Sequence, residues 1–528
     1  MAQYSSSNRD VFVPNTGTWP GSGVTLNGTR IQVQGLVGVG RISGGAKDPA
    51  TGESLGSVSD LQISAFVNNG NGSYSGTFNF LPDRGFNSGA IFSNYAARIN
   101  QVDFNFTPYT SNVPTALQNQ IQMTFMGSTR FTYDHDGSPA TAPVFTTGLL
   151  PNPTVTTSLF GQPVPTTPGS TIQSDGSVTN RLTVDAEGLI LDSRPGKQGS
   201  GWVSDEYGAN IYHFNSAKQI DGVLGIPQAL VPHKPAGTVN FNGTPVDGRR
   251  DNQGFEGIAL SPDGTKLYAL LQSATLQDSG TGNQGRANAV RMLEYDVSST
   301  DSPTDPIAQY VIQLPRIDDN GGTPAVNRAG AQSALEMIND HQILILSRDG
   351  NGRGASGAPV FKSVLLADLN GATDIDGSYD NAGSAVAPGG ALNAGVTPIA
   401  WIEAVNMLGK VDLGITELEQ FGFNLNAAPG DINTLSEKWE AMGLVSALDA
   451  AHVNDYFLFI GNDNDFLTQS GLYMDEHGVL QPYDAGLEND TVVLAYRITA
   501  TPEPTSLLAG VALLASCLIG TRLRRSAS

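Results

Sequence analysis

The segment Asp185-Ala186-Glu187-Gly188-Leu189, followed by Trp202-Val203-Ser204-Asp205-Glu206-Tyr207-Gly208, decides the fold of this chain. Acids open the first apolar run and an Asp-Glu pair closes the second, which is typical of two strands joined by a turn. In an antiparallel hairpin the start of the first strand and the end of the second lie at the same end. The pattern therefore predicts that both groups of acids meet at one edge.

The same arrangement occurs four more times along the chain. The other copies open at Asp60, Glu256, Glu336 and Glu440, and they close at Asp83-Arg84-Gly85, Gln272-Ser273, Arg348-Asp349-Gly350 and Asn462-Asp463-Asn464-Asp465. Repetition of one strand-turn-strand unit is typical of repeat architectures such as β-propellers. Repeated units would gather many carboxylates on one face, so the repeat predicts a site as well as a fold.

Composition also favours an all-β protein. The 528 residues include 62 Gly and 30 Pro, and only 15% are charged. A further hairpin at 118–133 supplies one more unit, so we predict a β-propeller of about six blades, with seven as the alternative. The run at 491–497 is expected to close the ring by pairing with a strand near the N-terminus. A sandwich before residue 150 followed by a propeller is the alternative domain arrangement.

Charge and motifs exclude several classes of function. The net charge of −22 argues against a nucleic-acid partner, because phosphate backbones require a basic footprint. Cys517 is the only cysteine, so no intramolecular disulfide can form. The sequence has no Gly-x-Ser-x-Gly, Walker A or His-Glu-x-x-His motif, and its six histidines lack metal-binding spacing. Serine hydrolase, P-loop and zinc chemistry are therefore disfavoured.

The C-terminal segment differs from the rest of the chain. Pro502-Glu503-Pro504 precedes an apolar run at 506–521, expected to form a hydrophobic helix, and Arg522, Arg524 and Arg525 follow. This order resembles the PEP-CTERM sorting signal of Gram-negative bacteria. The resemblance implies export, recognition by an exosortase, a cell-envelope or extracellular location, and membrane contact through residues 506–521 before processing. Residues 1–25 are predicted to be a polar lead-in without the apolar run of a signal peptide.

The strand-end motifs resemble a known family as well. They are Asp185-x-Glu187-Gly-Leu, Trp202-Val-Ser-Asp-Glu-Tyr-Gly, Gly254-Phe-Glu256-Gly, Leu335-Glu336, Arg348-Asp349-Gly, Lys438-x-Glu440 and Asp83-Arg84-Gly85-Phe. Together they are similar to the phytase-like domain described as having esterase-like activity. The resemblance covers about residues 35–499, within a predicted domain at 26–500. It implies a β-propeller that hydrolyses phosphate or carboxylic esters of small molecules. This chain departs from the family pattern at Ser347, where an acid is more usual, and at the split Glu-Gly pair of Glu440.

Converging carboxylates are hard ligands that suit Ca²⁺, which takes six to eight oxygens. We expect metal ligands at Asp83, Asp185, Asp349, Asp463 and Asp465. Catalytic acids are expected at Glu187, Asp205, Glu206, Glu256, Glu336 and Glu440. Arg84, Arg348 and Lys438 recur beside these acids and are expected to bind an anionic substrate. The alternative is a non-catalytic surface or binding propeller whose acids hold structural calcium or form ion pairs.

Overall fold

The computed structural model describes residues 23–88, 91–111, 113–134, 143–152, 157–167, 180–235, 237–280, 285–318, 328–409, 415–425 and 430–501. The predicted sorting signal and hydrophobic helix at 502–528 lie outside the described residues. Within the described residues, no helix has both the length and the apolar character needed to cross a membrane.

Short strands make up almost all of the regular structure. The strands before the second blade are β1 (Val24–Leu26), β2 (Thr29–Ile42), β3 (Asp60–Asn68), β4 (Tyr74–Leu81), β5 (Arg98–Phe106), β6 (Ile121–Arg130), β7 (Thr132–Tyr133), β8 (Val144–Phe145), β9 (Thr157–Leu159), β10 (Gln162–Val164), β11 (Thr166–Thr167) and β12 (Arg181–Leu182). The second and third blades add β13 (Ala186–Leu191), β14 (Gly201–Asp205), β15 (Asn210–Phe214), β16 (Gln219–Val223), β17 (Phe255–Leu260), β18 (Lys266–Leu271), helix α1 (Leu276–Ser279), β19 (Ala289–Asp296) and β20 (Ala308–Gln313).

The remainder of the chain follows the same plan. It comprises β21 (Arg316–Ile317), β22 (Arg328–Ala329), β23 (Ala331–Met337), β24 (Gln342–Arg348), β25 (Lys362–Asp368), a 3₁₀ turn (Pro388–Gly390), β26 (Ala400–Asn406), helix α2 (Glu417–Gln420), β27 (Lys438–Ser446), β28 (Asp455–Asp463), β29 (Gly471–Met474), β30 (Leu480–Tyr483) and β31 (Thr491–Thr501). Val, Ile, Leu, Phe and Tyr dominate these strands, as expected for elements that pack on both faces.

Five sheets form the blades of a propeller. Their strand orders are β3-β4-β5-β6, β13-β14-β15-β16 extended by β7 and β8, β17-β18-β19-β20, β23-β24-β25-β26, and β27-β28-β31-β2-β1. The innermost strands β3, β13, β17, β23 and β27 contact one another in this cyclic order. The described residues thus form one ring of blades around a central axis.

The prediction of an all-β propeller is confirmed, but the described residues form five blades rather than about six. The segment at 118–133 does not begin an additional blade. It supplies β6, which pairs with β5 from Arg98–Arg130 to Phe106–Ile121 and so completes the first blade. It also supplies β7, which extends the second blade.

The last blade takes strands from both ends of the described chain. Strand β2 pairs with β31 from Arg30–Thr501 to Ile42–Thr491. The prediction that the run at 491–497 closes the ring with an N-terminal strand is therefore confirmed. This closure is reinforced by packing between the first and last blades, because the ring of Phe459 meets that of Phe78 edge-on at 5.2 Å.

Candidate metal centre

Antiparallel pairing gathers the strand-end acids on one face of the ring. Ala186 at the start of β13 lies opposite Asp205 at the end of β14. Lys438 at the start of β27 likewise lies opposite Asp463 at the end of β28. Because the innermost strands lie side by side around the axis, acids from different blades meet at this face.

β-Bulges place three glutamates at the centre of this face. The pairing register shifts at Glu187 in β13, at Glu256 in β17 and at Glu440 in β27. A bulge re-aims a side chain and is common next to active sites. One carboxylate oxygen from each of these three glutamates lies within 4.8 Å of the other two. The sequence motif around each glutamate therefore encodes a local distortion that brings the carboxylates together.

Three groups of three carboxylates meet the same distance limit among the described residues. They are Asp83, Asp463 and Asp465; Asp185, Glu187 and Glu206; and Glu187, Glu256 and Glu440. Glu187 belongs to two of them. We call these eight residues the acidic centre. All are buried except Asp465, which is half-buried.

Two arginines form ion pairs at the acidic centre. Arg84 Nη1 lies 2.5 Å from Asp185 Oδ2, and its guanidinium stacks over the ring of Tyr207 at 5.1 Å. Arg348 forms an ion pair with Glu440. Burial would lower the pKa of Arg84, but Asp185 and its acidic neighbours raise it well above the usual value. Glu440 and Glu256 likewise raise the pKa of Arg348 against the effect of burial, so both guanidinium groups remain charged.

Lys438 supplies a third positive charge. Its Nζ lies 3.0 Å from Asp463 Oδ2 and 2.6 Å from Asp465 Oδ1. Burial opposes the charged form, yet the surrounding carboxylates raise the pKa of Lys438 well above its usual value. For Asp463, burial is outweighed by Lys438, so that the pKa of this carboxyl is lowered. The group formed by Asp83, Asp463 and Asp465 is thus paired with the ammonium group of the Lys438 side chain.

Two buried carboxylate oxygens of the acidic centre have no hydrogen-bond partner within the described part of the chain. They are Glu206 Oε1 and Glu256 Oε2, in residues only 3% and 2% exposed. Burial, followed by repulsion from neighbouring acids, raises the pKa of both carboxyl groups well above the usual range. An ionised carboxylate that is buried without a partner is unstable, so each oxygen requires a proton or a cation.

The acidic centre fits a hard divalent cation. Its donor atoms are carboxylate oxygens, the ligand type that Ca²⁺ prefers. Two oxygens bound to one Ca²⁺ at about 2.3–2.6 Å can lie no more than about 5.2 Å apart. The 4.8 Å limit within each group satisfies this condition. The unpartnered oxygens of Glu206 and Glu256 are positions at which such an ion would replace the missing interaction.

A cavity of about 300 Å³ adjoins the acidic centre. Charged side chains form most of its wall: Asp83, Arg84, Asp185, Glu187, Glu206, Lys438 and Asp465. Phe86 and Leu467 form an apolar part of the wall. Exposed Asn252 lies at the edge, where its Oδ1 accepts a hydrogen bond from Arg84. The cavity is large enough for a small ester group, with both charge signs on its surface.

Eleven of the fourteen predicted site residues meet at this centre, whereas Asp205, Glu336 and Asp349 are in none of its three carboxylate groups. Asp205 faces main-chain amides of its own turn and of Asp185. Its Oδ1 accepts from the Asp185 amide at 2.9 Å and its Oδ2 from the Gly208 amide at 2.8 Å. Burial raises the pKa of Asp205 to about 7. Its side chain therefore holds the turn that carries Glu206.

Glu336 lies towards the opposite end of its strand. It pairs with Leu344, whereas Ala331, at the start of β23, lies opposite Arg348 near the acidic centre. The bulge of β23 falls at Ser333. The fourth blade therefore carries a serine where three other blades carry a glutamate. Burial, with a further contribution from Asp60, raises the pKa of Glu336 to about 8.

Asp349 is neutralised inside the fourth blade. Its carboxylate forms an ion pair with wholly buried Lys362, and its Oδ2 accepts from the Phe361 amide at 2.9 Å. Sequence reasoning missed Lys362. A signal for it exists, because a lone lysine inside the apolar run at 359–367 must be paired when the strand is buried.

The fold and this carboxylate-rich face define the molecule as a β-propeller with a candidate cation centre. Residues 62–466 match the family model of the phytase-like domain, described as "Esterase-like activity of phytase". The chain belongs to this family. A relative from Arthroderma benhamiae (strain ATCC MYA-4681 / CBS 112371), named "Uncharacterized secreted protein", is 31% identical over 480 residues, covering 83% of this chain and 88% of the relative.

Solved structures resemble this chain only distantly. The Cps50 (Swd1) β-propeller domain of Myceliophteria thermophila is 8% identical, with a TM-score of 0.27 over 83% of this chain and 99% of that one. A glycosyl hydrolase from Bacteroides ovatus is 12% identical, with a TM-score of 0.25 over 69% and 97%. Similarity at this level has no bearing on the function of this chain.

Proposed function

We propose that the protein is a hydrolase of phosphate or related esters, assisted by Ca²⁺ or a similar divalent cation, with the acidic centre and its cavity as the site. One observation carries the proposal. Glu206, whose buried Oε1 has no partner among the described residues, lines the cavity beside Arg84 and Lys438. Membership of the phytase-like family supports ester hydrolysis as the reaction.

Asp185, Glu187, Glu206, Glu256 and Glu440 would hold the cation. When bound, a divalent cation polarises an ester oxygen and lowers the pKa of a bound water. Arg84 and Lys438 orient the substrate, since ammonium and guanidinium groups bind anionic oxygens strongly. Lys438 directs two of its three N–H groups to Asp463 and Asp465, so the third can donate to a substrate oxygen. Glu206 Oε1 would bind the cation when it is present and would hold a proton when it is absent.

A non-catalytic propeller is the second candidate. The observation that favours it is that all three cations of the site form ion pairs with the acidic centre. In that case the acids hold structural calcium or serve only to link blades. The fourth blade, which contributes Arg348 but no carboxylate to the centre, also fits this alternative.

Ester hydrolysis with and without metal separates the two candidates. We expect p-nitrophenyl phosphate or acetate to be hydrolysed in Ca²⁺, with turnover lost in EDTA and reduced by about 100-fold or more in Glu206→Gln. The matched control is Glu294→Gln in β19. Glu294 is a buried glutamate outside the acidic centre that pairs with Lys266 at 2.6 Å. A folded, calcium-loaded protein that hydrolyses neither ester would favour the non-catalytic propeller.

We further propose that the protein is exported. The Arthroderma relative is named as a secreted protein, and the tail of this chain resembles a sorting signal. Residues 506–521 would contact the membrane until an exosortase processes the tail. Fractionation of cells producing the chain with and without residues 502–528 tests this. Export and anchoring that do not depend on the tail would refute its role.

A further inference from the structure

Two of the three carboxylate groups share one residue. Glu187 contributes to the group with Asp185 and Glu206 and also to the group with Glu256 and Glu440. Each group contains one buried oxygen without a partner in the described ranges, Glu206 Oε1 in the first and Glu256 Oε2 in the second. The two unpartnered oxygens therefore belong to two different groups that have Glu187 in common.

The third group does not have this character. Lys438 already lies 3.0 Å from Asp463 and 2.6 Å from Asp465. Asp83 Oδ1 accepts a hydrogen bond from the Gly85 amide at 3.1 Å. No carboxylate oxygen of this third group is among the unpartnered buried atoms of the described residues. Each of the three groups is paired with one positive side chain, but among the described residues only the first two also contain an unpartnered buried oxygen.

Full ionisation of the acidic centre would favour more than one added cation. The eight carboxylates of the acidic centre face three positive side chains, Arg84, Arg348 and Lys438, which leaves an excess of five negative charges when all are ionised. One divalent cation would offset two of these charges. Two would offset four, and buried charge is stable only when it is nearly balanced. A centre that held fewer than two divalent cations would repel an anionic ester.

We propose that the acidic centre binds two divalent cations, one at Asp185, Glu187 and Glu206 and the other at Glu187, Glu256 and Glu440, with Glu187 as the shared ligand. The inference deepens the proposed function and rests on it for the substrate. Cation binding is measured without turnover, so the two-cation centre and the hydrolase can be refuted independently of each other.

Calcium binding to the full chain tests the number of sites. Protein stripped with EDTA is titrated with Ca²⁺ by calorimetry, and bound ions are counted by native mass spectrometry. We expect two ions in the wild type, one in Glu206→Gln, one in Glu256→Gln, none at the centre in the double variant, and two in the control Glu294→Gln. A wild type with one ion or none overturns the proposal. A double variant that loses no more bound Ca²⁺ than either single variant also overturns it.

Lanthanide luminescence tests the shared ligand without any variant. Protein loaded with a mixture of Tb³⁺ and Eu³⁺ is expected to show energy transfer from Tb³⁺ to Eu³⁺, because the two positions adjoin Glu187. Two bound ions without energy transfer would refute the shared ligand. Ester turnover with a single bound ion would keep the hydrolase and overturn this inference. Two adjacent ions without turnover would keep this inference and overturn the hydrolase.

Discussion

Replacing Gly188 with Ala is expected to push the second and third blades apart at the acidic centre. A Cβ on Gly188 would lie 2.7 Å from the carbonyl oxygen of Glu256, 2.7 Å from Ser204 Oγ and 2.9 Å from Ile258 Cγ1. Non-bonded heavy atoms prefer separations of about 3.5–4.0 Å. The two innermost strands would therefore have to separate by roughly half an ångström or more.

The expected cost follows from the nature of these contacts. Overpacking of this kind destabilises a protein by typically about 1–3 kcal/mol. The Glu256 oxygen belongs to the main chain and cannot rotate away, so we expect a loss within this range. Since Gly188 follows Glu187 directly, separation of the strands also moves two carboxylates of the centre apart. Urea unfolding measures the stability, and calorimetry measures the accompanying loss of calcium affinity.

A matched glycine provides the control. Gly430 has no neighbouring atom within 4 Å of its would-be Cβ and no left-handed backbone conformation. Gly430→Ala is therefore expected to leave both stability and calcium affinity unchanged. In a double-mutant cycle, Ser204→Ala should lessen the effect of Gly188→Ala by removing one close contact. A Gly188→Ala protein as stable as Gly430→Ala, with wild-type calcium affinity, would refute the close-approach argument.

Three further predictions concern stability. Adding Ca²⁺ to EDTA-treated protein should raise the melting temperature. The increase should be smaller in Glu256→Gln than in the control Glu294→Gln, and equal increases would contradict a role for Glu256 in calcium binding. Gly56→Ala should destabilise by more than Gly70→Ala in urea unfolding. Both glycines have positive φ (88° and 75°), but only at Gly56 would a Cβ meet a ring, that of Phe466 at 2.1 Å; equal losses would contradict the clash. Burial raises the pKa of Glu403 to about 7, so the folded state keeps this proton at pH values where the unfolded chain, which loses it near pH 4.5, does not. The free energy of unfolding therefore falls as the pH rises from about 4.5 to about 7. Glu403→Gln should remove that part of the decline between pH 4.5 and pH 7.5, as measured by the urea midpoint; an unchanged slope would contradict the assignment.

The sequence was sufficient to predict the ring and its closure. Acids at the two ends of each hairpin signal an antiparallel unit, and the apolar run at 491–497 pairs with β2 as expected. The number of blades was harder to predict, because the outermost strand of a blade needs no acid marker. Strand β6 therefore looked like part of a new unit, although it pairs with β5.

Three predicted site residues lie outside the carboxylate groups of the acidic centre because of strand register and of ion-pair or hydrogen-bond partners that the sequence does not reveal. Leu335-Glu336 resembles Phe255-Glu256 in sequence, but the bulge of β23 lies at Ser333, so Glu336 is displaced along the strand. A shift of three residues cannot be detected by motif matching when the repeats are imperfect. The isolation of Asp349 depends on Lys362, which is thirteen residues further along the chain and in the neighbouring strand. Such pairs become evident only when strand order is known.

The pairing of β2 with β31 also governs the timing of assembly during translation. The fourteen residues of β2 emerge early and lack their partner until residue 491 has been made. At about 5–20 residues per second, this wait lasts roughly 20 to 90 seconds. The acidic centre draws on residues from Asp83 to Asp465, so it is also incomplete throughout this interval. A nascent chain therefore cannot complete the proposed second cation position, which needs Glu440, before its synthesis is nearly finished, and until then its first strands are the part that a chaperone would have to protect.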